Sequence, residues 1–180
     1  MRFFQQIAPL EVMSKIRLVF FLALLTGFVS IAFAAESNPS KNGLFPEEII
    51  SADQLKQRFD RGEAFVLFDA RNKASFDSAH VQGALLPRPD EYYQQEELFK
   101  NGIVPKAPDQ NQALKAFMQK YSQETPIVTY CNSNCHASAA LALQLKSLGF
   151  AHIQSMEEGF QMWEKKGYPV ARSPRVQKVS

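Results

Sequence analysis

The sequence has almost no excess charge of either sign. Lys and Arg number 20 against 18 Asp and Glu in 180 residues, a formal net charge of +2. No run of basic residues adds to this, so the pattern excludes a nucleic-acid binder, which needs a basic face to neutralise phosphates. Internal repeats and low-complexity blocks are absent, and nothing points to a repeat architecture. Long apolar runs are also missing. The longest, Leu18 to Ile31, is about 14 residues, below the roughly 18–20 that spanning a bilayer requires. Cysteine is scarce, with two in the whole chain, Cys131 and Cys135. What is present, 46% hydrophobic and 12% aromatic residues, suffices for one globular domain and is short for two.

The N-terminal apolar run is preceded by Lys15 and Arg17 and followed by Ala32-Phe33-Ala34 and then Ala35. A positive start, a short apolar stretch and small residues at the positions a signal peptidase reads form the layout of a secretory signal peptide. Residues 1–34 are expected to be that signal, with Met13 the true start; an uncleaved N-terminal anchor is the alternative. Cleavage would remove three basic side chains (Arg2, Lys15, Arg17) and one acidic (Glu11) from totals of 20 and 18, leaving 17 of each. A formally neutral chain would not steer an anionic substrate from a distance. Export to a bacterial periplasm, free of the membrane after cleavage, would put both cysteines where a disulfide can persist.

Residues 35–46 are polar, with Pro39, Gly43 and Pro46, and read as a flexible leader. Residues 171–180 read as a loose tail, and 47–170 as the domain. Within it, Ser51 is a candidate N-cap for a helix to about Arg61, stopped by Gly62. Ala64 to Phe68 and Gly83 to Leu86 are expected strands, with a short helix over Lys73 to Ser78 between them. Residues 88–108 read as a long connection with one helical turn. Asp109 caps a helix to about Tyr121. Pro126 to Tyr130 is a buried strand, Ala137 to Leu148 a helix ended by Gly149, Ala151 to Ser155 a strand and Glu157 to Lys165 a final helix. Strands alternating with helices predict an α/β domain, a largely parallel five-stranded sheet with helices on both faces.

The segment that carries chemistry is Ile127-Val128-Thr129-Tyr130-Cys131-Asn132-Ser133-Asn134-Cys135-His136, running into Ala137. A buried strand delivers a cysteine to the C-terminal edge of the sheet, where sites of open α/β sheets form. A loop and a helix N-terminus follow. Free backbone N–H groups and the helix dipole there are expected to face Cys131 and favour its thiolate, the nucleophilic form. The same N–H groups would stabilise a persulfide or a bound oxyanion.

These residues resemble the rhodanese superfamily over roughly residues 47–170. The Cys131 loop is similar to the family's active loop. Asp69-Ala70-Arg71 is similar to its Asp-x-Arg, and His80-Val81-Gln82-Gly83-Ala84 to its His-Ile-x-Gly-Ala segment. Leu148-Gly149-Phe150 with Glu158-Gly159-Phe160 and Trp163 is similar to its C-terminal signature. The resemblance implies sulfur transfer through a Cys131 persulfide. The donor would be a small sulfane-sulfur compound and the acceptor cyanide, a thiol or a periplasmic protein thiol, with no cofactor or metal. Asn132, Ser133, Asn134, Cys135 and His136 would form the loop, and Asp69, Arg71 and His80 would support it structurally. Many members carry Gly at Asn134 and Arg at His136. Asn tolerates the left-handed backbone, but a neutral imidazole lacks the fork of donors that holds an anionic donor. Thiosulfate is therefore expected to be a poor donor.

Other chemistries compete. A cysteine phosphatase needs Cys-x5-Arg, and Ala137 stands where that arginine would be, so the class is rejected. Thioredoxin-like exchange uses Cys-x-x-Cys, whereas three residues separate Cys131 from Cys135. A metal site of Cys131, Cys135 and His136 lacks zinc-ribbon spacing. Thiol–disulfide exchange through a Cys131–Cys135 pair remains a rival to sulfur transfer, as does a catalytically inactive binding module. Cys135 itself reads as a resolving thiol, half of a resting disulfide, or a small loop residue.

Overall fold

The computed structural model describes Ser40 and residues 42–173. The predicted signal peptide, the Met13 start and the tail beyond Ser173 lie outside the described residues. Among the described residues six short strands and six α-helices follow one another: β1 (Ile49–Ile50), α1 (Ala52–Asp60), β2 (Val66–Asp69), α2 (Lys73–Ser78), β3 (His80–Val81), α3 (Asp90–Lys100), α4 (Gln110–Met118), β4 (Ile127–Tyr130), α5 (Ala137–Ser147), β5 (Ile153–Met156), α6 (Gly159–Lys165) and β6 (Val170–Ala171).

Four strands form a parallel sheet in the order β1-β5-β4-β2, and β3 pairs antiparallel with β6. The predicted parallel α/β architecture holds, but the five-strand count does not. The expected strand over 83–86 touches the sheet only at Leu85, whose N–H donates to the Leu67 carbonyl at 2.9 Å while its own carbonyl accepts from Asp69 N–H at 2.9 Å. Gly83 at φ +84° and Pro87 bracket it, and proline cannot donate to a ladder.

Side chains alternate across the sheet because successive strand residues point to opposite faces. Leu67, Val128, Tyr130 and Met156 pack on one face with Leu55, Phe160 and Trp163 of α1 and α6. Phe68, Ile127 and Ile153 pack on the other with Leu114 and Met118 of α4 and Leu141 and Leu145 of α5. Burial on both faces explains why the strands read as apolar runs.

The helix starts follow their caps. Ser51 Oγ accepts Gln54 N–H at 3.1 Å while Ser51 N–H donates to Gln54 Oε1 at 2.7 Å. Asp109 accepts from Asn111 and Gln112 N–H. Three expectations need correction. Residues 88–108 contain an eleven-residue helix, α3, started by Pro89 with Asp90 and Glu91 in its first turn and anchored by buried Tyr92 and Tyr93. The end of the predicted flexible leader is packed, because Leu44 is fully buried in the core. Likewise Ala171, assigned to the tail, pairs with His80 in β3–β6.

Candidate active site

Because the four strands run parallel, β1, β2, β4 and β5 all end at one edge. Cys131 leaves β4 there, between the turn after β2 and the start of α6. Ala70 N–H donates to the Tyr130 carbonyl at 2.8 Å, and Phe160 N–H to the Cys131 carbonyl at 2.7 Å. The loop from Cys131 to His136 then turns over the sulfur. Cys135 N–H donates to the Asn132 carbonyl at 3.3 Å, and Asn134 adopts φ +60°, the left-handed conformation expected of it.

Cys131 is 1% exposed. The orientation of the loop reverses the expected electrostatics. Cys131 Sγ faces two carbonyl oxygens, of Cys135 at 3.1 Å and Asn132 at 3.3 Å, with Ser138 Oγ at 3.5 Å. Three N–H groups of the loop and the first turn of α5 are engaged elsewhere: Ser133 N–H on Gln161 Oε1 at 2.8 Å, Cys135 N–H on the Asn132 carbonyl at 3.3 Å and Ala137 N–H on Cys135 Sγ at 3.4 Å. Burial pushes the Cys131 thiol up to about 11, and the Cys135 thiol beside it adds to the rise, against a lowering contribution from Ser138. In this conformation the site favours the protonated thiol, as burial generally does for an acid.

The predicted supporting residues divide. Asp69 is fully buried and grips Arg71, with Nε–Oδ1 at 2.9 Å and a second guanidinium nitrogen on Oδ2 at 2.7 Å; that nitrogen also donates to the Ala79 carbonyl at 2.6 Å. Tyr130 Oη donates to Asp69 Oδ2 at 2.7 Å and accepts Val81 N–H at 3.1 Å. Burial works against the Arg71 charge, but Asp69 outweighs it and raises the guanidinium pKa. The guanidinium lies 4.1 Å from the Phe160 ring centroid. Asp69 and Arg71 thus tie β2, β4, β3 and α6 together at the strand ends, next to Tyr130, the residue before Cys131. His80 stacks on Phe76 at 3.8 Å and bonds the Phe76 carbonyl through Nδ1 at 2.8 Å, a local packing role. His136 is exposed at the N-cap of α5 with no side-chain cap.

The sequence names Tyr130, Gly159 and Ser133 in its motifs but does not show the roles the fold gives them. Tyr130 looked like any apolar strand residue, since nothing local marks which hydroxyl meets a buried carboxylate. Gly159 sits at φ +73°, and a Cβ there would fall on the backbone of Asn132 and Ser133. Ser133 Oγ donates to the Glu158 carbonyl at 2.6 Å. Beside the first turn of α5 lies a cavity of about 160 Å³ bordered by Ala70, Arg88, Ala137 and Leu141. Arg88 donates through Nε to the Gln110 carbonyl at 3.2 Å.

A parallel sheet with a thiol-bearing loop between a central strand and a helix defines the class: an α/β domain with its site at the strand ends. The rhodanese-like domain model matches residues 51–166, and the chain belongs to that family. Thiosulfate sulfurtransferase GlpE of Tolumonas auensis is 28% identical over 97 residues, covering 54% of this chain and 70% of that protein. Among solved structures, the rhodanese-like domain of the Alr3790 protein from Anabaena is 19% identical, with a TM-score of 0.53 over 74% of this chain and 85% of that one. The BH2092 protein from Bacillus halodurans is 15% identical, with a TM-score of 0.51 over 89% and 87%. Both likenesses are likenesses of fold.

Proposed function

We propose that the protein is a sulfurtransferase that carries sulfane sulfur on Cys131. The observation that supports this most directly is the placement of Cys131 at the C-terminal end of β4, inside a loop shaped by Asn134 and seated on Gly159. Cys131 thiolate forms a bond to the outer sulfur of a sulfane donor. The donor's bond to that sulfur breaks, and the electron pair leaves with the donor remnant, sulfite in the case of thiosulfate. Cyanide or a thiolate then attacks the outer sulfur, and the pair of the broken S–S bond returns to Cys131. This is covalent catalysis by a thiol alone.

The carbonyls now facing the sulfur must give way to donors before an anionic persulfide is stable. The exposed residues Ser133, Asn134 and His136 belong to the segment that makes this change. The same proposal places the protein in the periplasm after cleavage near Ala35.

The test is thiocyanate formation from cyanide with thiosulfate or glutathione persulfide as donor. With cyanide in excess from the start, so that it intercepts the outer sulfur, wild type should form thiocyanate, and Cys131→Ser should fall to the uncatalysed rate. Equal rates from the two proteins would remove Cys131 from the reaction.

A further inference from the structure

We infer that Cys135 is a second catalytic thiol, which displaces the sulfane sulfur from Cys131 as hydrosulfide and leaves a Cys131–Cys135 disulfide for an external dithiol to reduce. This rests on the reading of Cys131 as the sulfur carrier. Both cysteines are free thiols. The turn closed by Cys135 N–H on the Asn132 carbonyl folds the loop back, so that the Cys135 carbonyl oxygen lies 3.1 Å from Cys131 Sγ. The Cys135 thiol contributes to the raised pKa of the Cys131 thiol. A disulfide demands that the two Cα atoms come within about 7 Å, and the turn that brings the Cys135 carbonyl onto Cys131 Sγ already folds the loop in that sense.

The two thiols differ in the sense the step requires. Cys131 is buried against carbonyl oxygens, whereas Cys135 is half-buried and its Sγ accepts Ala137 N–H at 3.4 Å, in the first turn of α5. That N–H is available to a negative charge developing on Cys135. The carbonyls of Asn132 and Cys135 oppose a charged persulfide on Cys131, so the turn seen here favours discharge of the sulfur over its storage.

In the step, Cys135 thiolate attacks Cys131 Sγ. The Sγ–Sγ bond forms as the bond from Cys131 Sγ to the outer sulfur breaks, and that electron pair leaves with the outer sulfur. The proton from Cys135 ends on the departing sulfide. The sulfane sulfur gains two electrons, and the two cysteine sulfurs lose the same two. A dithiol then restores both thiols and is itself oxidised to a disulfide.

The experiment loads wild type, Cys135→Ser and Cys135→Ala with glutathione persulfide, removes the donor by gel filtration without reductant, and records released sulfide and intact mass. Wild type should release one sulfide per chain and lose the mass of two hydrogens, with the new bond mapped to Cys131 and Cys135. Both variants should keep one added sulfur until cyanide or a dithiol is supplied. A lasting persulfide on wild type, or sulfide release from the variants at the wild-type rate, overturns the inference while leaving Cys131 as carrier. Failure of both variants to gain sulfur, with Cys131 still open to alkylation, overturns the carrier reading and the inference together.

Discussion

Cys131 emerges from a fully buried strand with its thiol directed at carbonyl oxygens, and burial is what chiefly sets its ionisation. With burial and the Cys135 thiol raising its pKa to about 11, the neutral form is favoured, and only about one thiol in 10⁴ is ionised at pH 7. Alkylation of Cys131 by iodoacetamide, measured in Cys135→Ser, should therefore climb about tenfold per pH unit between pH 7 and 10. A plateau near pH 8 would mean that N–H groups face the sulfur after all. His136 stands exposed at the loop mouth without a cap bond, so a longer side chain fits there. His136→Arg should raise the rate with thiosulfate at neutral pH by about tenfold, the effect of one charge-assisted contact. No gain with the loop intact would remove the reason for preferring another donor. Cys131 and the left-handed Asn134 were legible in the sequence, because residue type and position between strand and helix decide both. The facing of the loop's peptide planes was not. It depends on Gln161 and Glu158, residues far along the chain that hold Ser133.

At the scale of elements, the loop is cast against the start of α6. Gly159 combines positive φ with backbone contact to Asn132 and Ser133, whereas Gly167, at φ +71°, has open space around its missing Cβ. Gly159→Ala should destabilise the fold by about 2–4 kcal/mol, conformational strain plus overpacking, and should depress sulfur loading by displacing the loop. Gly167→Ala should cost only about 1–2 kcal/mol and leave loading unchanged. Urea denaturation and persulfide yield measure the two effects; equal costs at both glycines would dissociate α6 from the loop. Capped and periodic elements, such as α1 behind Ser51 and α2 over Lys73–Ser78, were readable from sequence. The two-residue strands β1, β3 and β6 were not, since so short a run carries no periodicity. The α3 helix was hidden by prolines on both sides and by tyrosines whose burial only the tertiary fold reveals.

For the whole molecule, membership in the rhodanese-like family accounts for the parallel sheet and its helices, while the proposed place of action rests on the N-terminal pattern. Purified from a periplasmic extract, the chain should begin at Ala35 or within a residue or two of it. Retention of Leu18 to Ile31 would contradict cleavage. The central claim, sulfur carried on Cys131, is tested most directly by peptide mass mapping of Cys135→Ser after incubation with a sulfane donor and again after cyanide. The account predicts one added sulfur on the peptide bearing Cys131, lost on cyanide treatment with an equal yield of thiocyanate. Sulfur found on no residue, or sulfur on Cys131 that cyanide cannot remove, would contradict it.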